Sequence, residues 1–396
     1  MQGVGRQWGR TLGLAGLSCA FLAALALWLW PGPARPALPL APLRMVAGPS
    51  SPHLAAGLVA PEPGLSPLPL TVAGRAAAGP NGALVQEWPG FHVEARFHGD
   101  AVTVRFEDGV NRWRVLIEGG AAGRVELARP GRRDLRITGL GPGDWRIRVE
   151  KISESSMPAG FGGIWIDPSA ARPLPAPPPP PHLIEFVGDS DTVGFADLSD
   201  HRDCTEDEVF ATTDTARSFG PQVAARLGAD YRMIARSGIG LLRNYGGAAP
   251  GATMASRHAM ALPGDVSALP LPERPADIVV TALGSNDFGS ALGPGEPWPD
   301  HDRLSRDFGP ALTAFLRQRR QAVPGALQVL LAFGEYGPHL VDPYREAAAA
   351  LRAEGARVAL VVLPPLGRHA CFWHPTAADH AMIAAELVTA IRAAEP

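Results

Sequence analysis

The chain has 396 residues, of which 46% are hydrophobic, with a formal net charge of -3 and only 3 cysteines. That length holds two ordinary domains with a full core, and the near-balanced charge excludes the broad basic field of a nucleic-acid binder. The glycines and prolines, 45 and 41 of them, gather at boundaries rather than running through the whole chain, so they punctuate folded segments.

Arg6 and Arg10 precede an uncharged run from Thr11 to Trp30, long enough to cross roughly 30 Å of hydrocarbon as a helix. Residues 1–30 therefore read as a signal anchor, or as a signal peptide cleaved near Gly32-Pro-Ala34. Either way the body of the protein is exported: tethered to the membrane through this segment if it stays, secreted if it is removed. Residues 31–71 are rich in Pro and Ala without periodic apolar spacing and read as a disordered spacer.

From residue 72 to 170 the pattern alternates. Val102, Val104 and Phe106, then Trp113, Val115 and Ile117, then Leu135 and Ile137, then Trp145, Ile147 and Val149 recur with period two. Turns such as Glu107-Asp-Gly109 and Leu140-Gly-Pro-Gly-Asp144 separate them, which predicts an antiparallel β-sandwich domain. The proline run in residues 171–182 predicts a semi-rigid linker.

Residues 183–396 change to strand–helix alternation. Ile184–Val187, Tyr231–Ala235, Ile278–Leu283, Leu327–Phe333 and Val358–Leu363 read as buried strands, with amphipathic helices over Ser218–Leu227, Leu304–Arg319 and Tyr344–Ala353 between them. This order predicts an α/β fold, a doubly wound parallel sheet whose ligands bind beyond the carboxyl ends of its strands. Those ends carry Gly188-Asp189-Ser190, Arg236-Ser-Gly238-Ile-Gly240 and Gly284-Ser-Asn286-Asp287, and near the C-terminus lies Cys371-Phe-Trp-His374-Pro375.

A serine directly after a buried strand is a helix cap or a nucleophile. As a nucleophile Ser190 needs a base, and His374 fits by its near-neutral pKa. It also needs donors for an oxyanion, which the backbone N–H groups of Ser190 and of Gly240 or Gly238, with Gly240 preferred, and the Asn286 amide can supply. Asp189 and Asp287 read as structural supports of their turns. Trp298 and Trp373 read as sugar-stacking platforms or as loop packing. Cys204 and Cys371, the pair outside the leader, can form a disulfide in an oxidising compartment. His369, Cys371, His374 and His380 match no standard zinc spacing, and the glycines around Ile239 lack the third glycine of a dinucleotide loop, so neither metal nor cofactor is expected.

Together these blocks resemble the SGNH (GDSL-type) hydrolases, and Ile184–Ser190, Ser237–Tyr245, Leu283–Phe288 and Cys371–His380 are similar to carbohydrate esterase family two. The resemblance implies a jelly-roll domain beside an SGNH domain, no metal, and serine-dependent removal of acetyl groups from polysaccharide hydroxyls. The superfamily's Asp three residues before the catalytic His is Cys371 here, and the resemblance implies a Ser-His dyad whose imidazole is oriented by a main-chain carbonyl. Asp191, after the nucleophile, stands where related sequences carry an apolar residue. The alternatives are acetyl transfer, another ester substrate, or a non-catalytic carbohydrate-binding protein.

Overall fold

The computed structural model describes residues 43–155 and 157–394, so the expected targeting segment at residues 1–30 lies outside the described residues. Among the described residues no helix is long and apolar enough to cross a membrane.

The first part of the fold is built from β1 (Leu43–Ala47), β2 (Ala55–Val59), β3 (Ser66–Pro67), β4 (Thr71–Ala73), β5 (Ala77–Ala78), β6 (Leu84–Gln86) and β7 (His92–Gly99). It continues through β8 (Val102–Asp108), β9 (Arg112–Ile117), β10 (Gly123–Ala128), β11 (Gly131–Thr138), β12 (Gly143–Lys151), β13 (Ala159–Ile166) and β14 (Arg172–Pro173). These form two seven-stranded antiparallel sheets, with the main strands ordered β1-β10-β9-β12-β7 and β2-β11-β8-β13-β6. Inward-facing residues of the alternating strands meet in one core, where Trp113 lies among Phe91, Phe106 and Phe161 with ring centroids 5.4 to 6.2 Å away. The buried indole N–H of Trp113 donates to Asp108 at 2.9 Å, so the polar end of the ring is satisfied inside the core.

Residues 43–71 correct the expected spacer. β1 pairs with β10 and β2 with β11, so this Pro/Ala-rich segment supplies edge strands. An edge strand needs only one pairing neighbour, and its weak apolar pattern left no period to read. The expected linker at 171–182 likewise begins as a strand, because β14 pairs with β7.

The second part contains a parallel sheet of β15 (Leu183–Gly188), β16 (Asp230–Ala235), β17 (Ile278–Ala282), β18 (Leu327–Phe333) and β19 (Val358–Leu363), ordered β16-β15-β17-β18-β19. Its helices are α1 (Ser190–Val193), α2 (Glu206–Thr212), α3 (Phe219–Leu227), α4 (Met254–Arg257), α5 (Ser285–Phe288), α6 (His301–Ala322), α7 (Pro338–Ala353) and α8 (Ala377–Ala394). Every residue of β15, β17 and β18 is buried, as expected for strands covered on both faces. β19, at one edge, alternates between buried and partly exposed positions. β16 lies at the other edge yet is buried throughout, because the sandwich docks there: His92 meets Asp230 at 3.0 Å, and Trp88 of the sandwich joins the core of the α/β domain.

The strand order reverses between β15 and β17. In sheets of this topology the crevice beyond that switch point is the natural ligand site, and it is flanked here by Ser190 and Asn286.

Candidate active site

Gly188 ends β15 where a Cβ would lie 1.9 Å from the Thr192 hydroxyl and 2.9 Å from the Ala282 carbonyl oxygen, so only glycine lets the chain turn this close to β17. Asp189 then caps α1. One of its carboxylate oxygens accepts from the Asp191 N–H at 3.0 Å and the other accepts from the Ser285 hydroxyl. Burial, and then the charge of Asp191, push the Asp189 carboxyl well above its ordinary range, which suits a fixed hydrogen-bonded support. Ser190 follows as the first residue of α1, a position whose N–H has no partner within the helix.

After β16, the turn at Ser237-Gly238 rests on the sandwich, where the Glu154 carboxylate accepts from the Ser237 N–H at 2.7 Å. The Gly240 N–H is already committed to the Asn244 side chain at 3.0 Å, and a Cβ at Gly240 would lie 1.9 Å from the Arg243 carbonyl oxygen. The expected donor Gly240 is therefore corrected, since its N–H is engaged within the loop and it does not line the cavity, whereas Gly238 does, with φ +77. Gly240 instead serves close packing of the loop. After β17, the Asn286 amide donates to the Ile239 carbonyl at 2.9 Å, and its second hydrogen has no partner among the described residues. Asp287 accepts from the N–H groups of Leu241, Leu242 and Arg243 at 2.8 to 3.0 Å, and burial pushes its carboxyl up to about 6. It holds the β16 loop beside Asn286.

His374 arrives from a loop between β19 and α8. Its Nδ1 lies 2.8 Å from the Cys371 carbonyl oxygen, and since a carbonyl only accepts, Nδ1 carries the proton and Nε2 is left as the basic nitrogen. The ring lies against Phe195, centroids 4.4 Å apart. Burial holds the imidazole below its usual pKa, opposed by the charge of Asp191 and by the Cys371 carbonyl. The loop is tied from several sides. Cys371 and Cys204 form a disulfide, and Arg202 donates to the Arg368 carbonyl at 2.8 Å. The Arg368 guanidinium reaches Asp191 at 3.0 and 2.8 Å, Glu335 at 2.5 Å and the Trp373 carbonyl at 3.3 Å.

Ser190, Gly238, Asn286, Trp373 and His374 line one cavity of about 720 Å³. Trp373 is 61% exposed there, whereas Trp298 does not line the cavity: its indole N–H donates to Asp307 at 3.1 Å and its ring packs against the α/β core. The platform reading of Trp298 is thus corrected to loop packing. His380 is buried in α8, its Nδ1 accepting from the Phe219 N–H at 3.3 Å. Among the described residues His201, Cys204 and Glu208 come within 4.8 Å of one another, but the Cys204 sulfur is bound to Cys371 and offers no thiolate.

Sequence reasoning missed Arg368, Glu335 and Tyr336, all of which line this cavity. Glu335 and Tyr336 directly follow β18, so the strand-end rule that found Ser190 and Asn286 would have found them too; Arg368 carries no such local mark.

A family model described as carbohydrate esterase 2 N-terminal matches residues 72–177. An acetylxylan esterase / glucomannan deacetylase from Cellvibrio japonicus is 32% identical over 329 residues, covering 82% of this chain and 90% of that protein. A cellulase/esterase, CelE, from Acetivibrio thermocellus is 28% identical over 208 residues, 52% of this chain and 25% of its own length. Among solved structures, a carbohydrate esterase described as having divergent catalytic and non-catalytic binding functions superposes with TM-score 0.76 at 31% identity, covering 83% of this chain and 98% of that one. A family 2 enzyme from Corynascus thermopiles gives 0.69 at 27% identity, covering 82% and 99%. With this sequence similarity and two-domain architecture, the chain belongs to carbohydrate esterase family 2 and is a carboxylic ester hydrolase of the SGNH type.

Proposed function

We propose that this enzyme removes O-acetyl groups from a polysaccharide through a Ser190–His374 dyad, in which the Cys371 carbonyl takes the orienting place of a carboxylate. The observation that carries this reading is that Ser190, His374 and the donors Gly238 and Asn286 line a single cavity, with Nδ1 of His374 engaged by a carbonyl and Nε2 left basic. The Cellvibrio relative, named for acetylxylan and glucomannan, supports an acetylated plant-type polysaccharide as the substrate class. Trp373 offers an exposed aromatic face in that cavity for a sugar ring.

The Ser190 hydroxyl oxygen attacks the acetyl carbonyl carbon while its proton passes to Nε2 of His374. The N–H groups of Ser190 and Gly238 and the Asn286 amide hold the oxyanion of the tetrahedral intermediate. Its collapse breaks the bond to the sugar oxygen, which takes the proton from His374 and leaves as a hydroxyl. Water, losing a proton to His374, then attacks the acetyl-serine, and collapse releases acetic acid as the Ser190 oxygen takes the proton back from His374. Asp189 and Asp287 support the two turns, and neither shuttles protons.

The nested pairing of β6 with β13, β7 with β12, β8 with β11 and β9 with β10 supports reading the sandwich as a jelly roll. The Cys204–Cys371 disulfide supports an exported body in an oxidising compartment, anchored or secreted according to the fate of residues 1–30.

The experiment is acetate release from acetylated xylan and acetylated glucomannan by the native enzyme and by Ser190→Ala. A loss of at least about 10⁴-fold in turnover is expected. Activity surviving the substitution would remove Ser190 as nucleophile.

A further inference from the structure

Asp191 is an awkward neighbour for a nucleophile, because a carboxylate there opposes the negative charge that develops on the substrate. The structure shows what it is paired with. Arg368 grips it with two hydrogen bonds, at 3.0 and 2.8 Å, and the same guanidinium bonds Glu335 at 2.5 Å and the Trp373 carbonyl at 3.3 Å. The two partners Asp191 and Arg368 are 177 residues apart in sequence. One side chain thus joins the residue after the nucleophile, the end of β18 and the residue before His374. Arg368 itself is held in the left-handed backbone region, φ +48, a conformation that costs a non-glycine residue and persists where surrounding contacts impose it. Its N–H donates to Asp379 at 3.2 Å and its carbonyl accepts from Arg202.

Two carboxylates share one guanidinium, so the cluster carries one surplus negative charge. The second oxygen of Glu335 is buried and has no hydrogen-bond partner among the described residues, which leaves that surplus uncompensated locally. Among the described residues the charged and titratable groups around the imidazole of His374 are Asp191 on α1, Arg368 on its own loop and His380 on α8, with Glu335 behind Arg368 and Asp189 beside Asp191; burial keeps His380 neutral, and burial with the charge of Asp191 pushes the Asp189 carboxyl up to about 8. A base oriented by a neutral carbonyl lacks the counter-charge that a carboxylate gives to an imidazolium.

We propose that Arg368, Asp191 and Glu335 form the positioning unit of His374: Arg368 clamps the histidine loop over Ser190, and the surplus negative charge of the cluster stabilises the imidazolium in place of the carboxylate missing at position 371. The proposal rests on the reading of Ser190 and His374 as nucleophile and base. It makes Arg368 a positioning residue and Asp191 part of the catalytic electrostatics rather than an obstacle to them.

The test is kcat, KM and the pH profile of acetyl ester hydrolysis for the full chain and for Arg368→Met, Arg368→Lys, Asp191→Asn and Glu335→Gln, with thermal melts of each. Arg368→Met is expected to lower kcat by roughly 10²-fold with KM nearly unchanged, as for a base displaced by about 1 Å. Arg368→Lys, keeping the charge but not the bidentate fork, is expected to recover part of that loss. Asp191→Asn and Glu335→Gln each remove one negative charge without removing the shape, and the acid limb of kcat/KM is expected to move to lower pH, by about one unit for Asp191→Asn. A merely structural role would lower the melting temperature and leave that limb in place. An unmoved limb in both carboxylate variants overturns the electrostatic part, and it is read on these folded variants even where Arg368→Met fails to fold. A kcat within twofold of native in folded Arg368→Met or Arg368→Lys overturns the clamp. Ser190→Ala run in parallel separates the cases: if it is inactive while the cluster variants behave as native, only this proposal falls, and if it stays active, the dyad reading falls first.

Discussion

Ser190, Gly238 and Asn286 reach the cavity within a few residues of the ends of β15, β16 and β17, so the sheet that carries them also aims them. His374 reaches the same cavity from well beyond the end of β19 at Leu363, on a short turn with Phe372 and Trp373 in the left-handed region. The strand-end side is held by ties between adjacent strand ends: a glycine at a close approach, an aspartate cap, an amide bonded to the neighbouring loop 47 residues away. The histidine side is held by long-range ties, a disulfide spanning 167 residues and an ion cluster spanning 177. Adjacent parallel strands therefore bring Ser190 and Asn286 together at their ends, where neighbouring turns bond one another, while His374 on a late loop is cross-linked into position.

Breaking the strand-end side is expected to have the larger effect on chemistry. Asn286→Ala removes the proposed oxyanion donor and is expected to lower kcat by about 10²–10³-fold, with far-UV circular dichroism unchanged. Retention of kcat would mean that the amide belongs to the loop alone. On the histidine side, Cys204→Ser combined with Cys371→Ser is expected to cost about 2–5 kcal/mol of stability, since the cross-link closes a long loop. Chemical denaturation measures this, and turnover is expected to fall more steeply with temperature than in the native enzyme as the histidine loop loosens. The two tryptophans sharpen the contrast within one loop class: Trp373→Ala is expected to raise KM for a polysaccharide by about 2- to 10-fold, the worth of one aromatic contact, and Trp298→Ala to leave KM unchanged. The smallest effect is in pH. The base must be neutral to accept a proton, and burial holds His374 below its usual pKa, so activity is expected to persist below the ordinary histidine value of about 6.5 before declining in acid. An acid limb of kcat/KM above that value would contradict the burial.

The five parallel strands were legible because fully buried strands read as continuous apolar runs, and the strand-end motifs because their spacing is local. Gly238 and Gly240 could not be told apart by counting, since the choice depends on Asn244 having already taken one N–H. Platform and loop packing could not be told apart for Trp298, because the choice rests on Asp307, on the helix that follows, receiving its indole N–H. The strands within 43–71 were hidden by composition: an edge strand of Ala, Gly and Val is recruited by a partner rather than specified by its own pattern.

The sequence by itself determined the class of sheet, the turn that carries Ser190, the Asn286 turn after β17 and the cysteine at position 371, because hydrophobic period and turn chemistry act over a few residues. Only the tertiary structure decided which glycine faces the cavity, that the sandwich seals the edge of β16, and that Arg368 pairs with Asp191. Those are contacts between segments far apart in the chain, and a hydrogen-bonding partner at such separation is chosen by the packed fold, not by any neighbour in sequence.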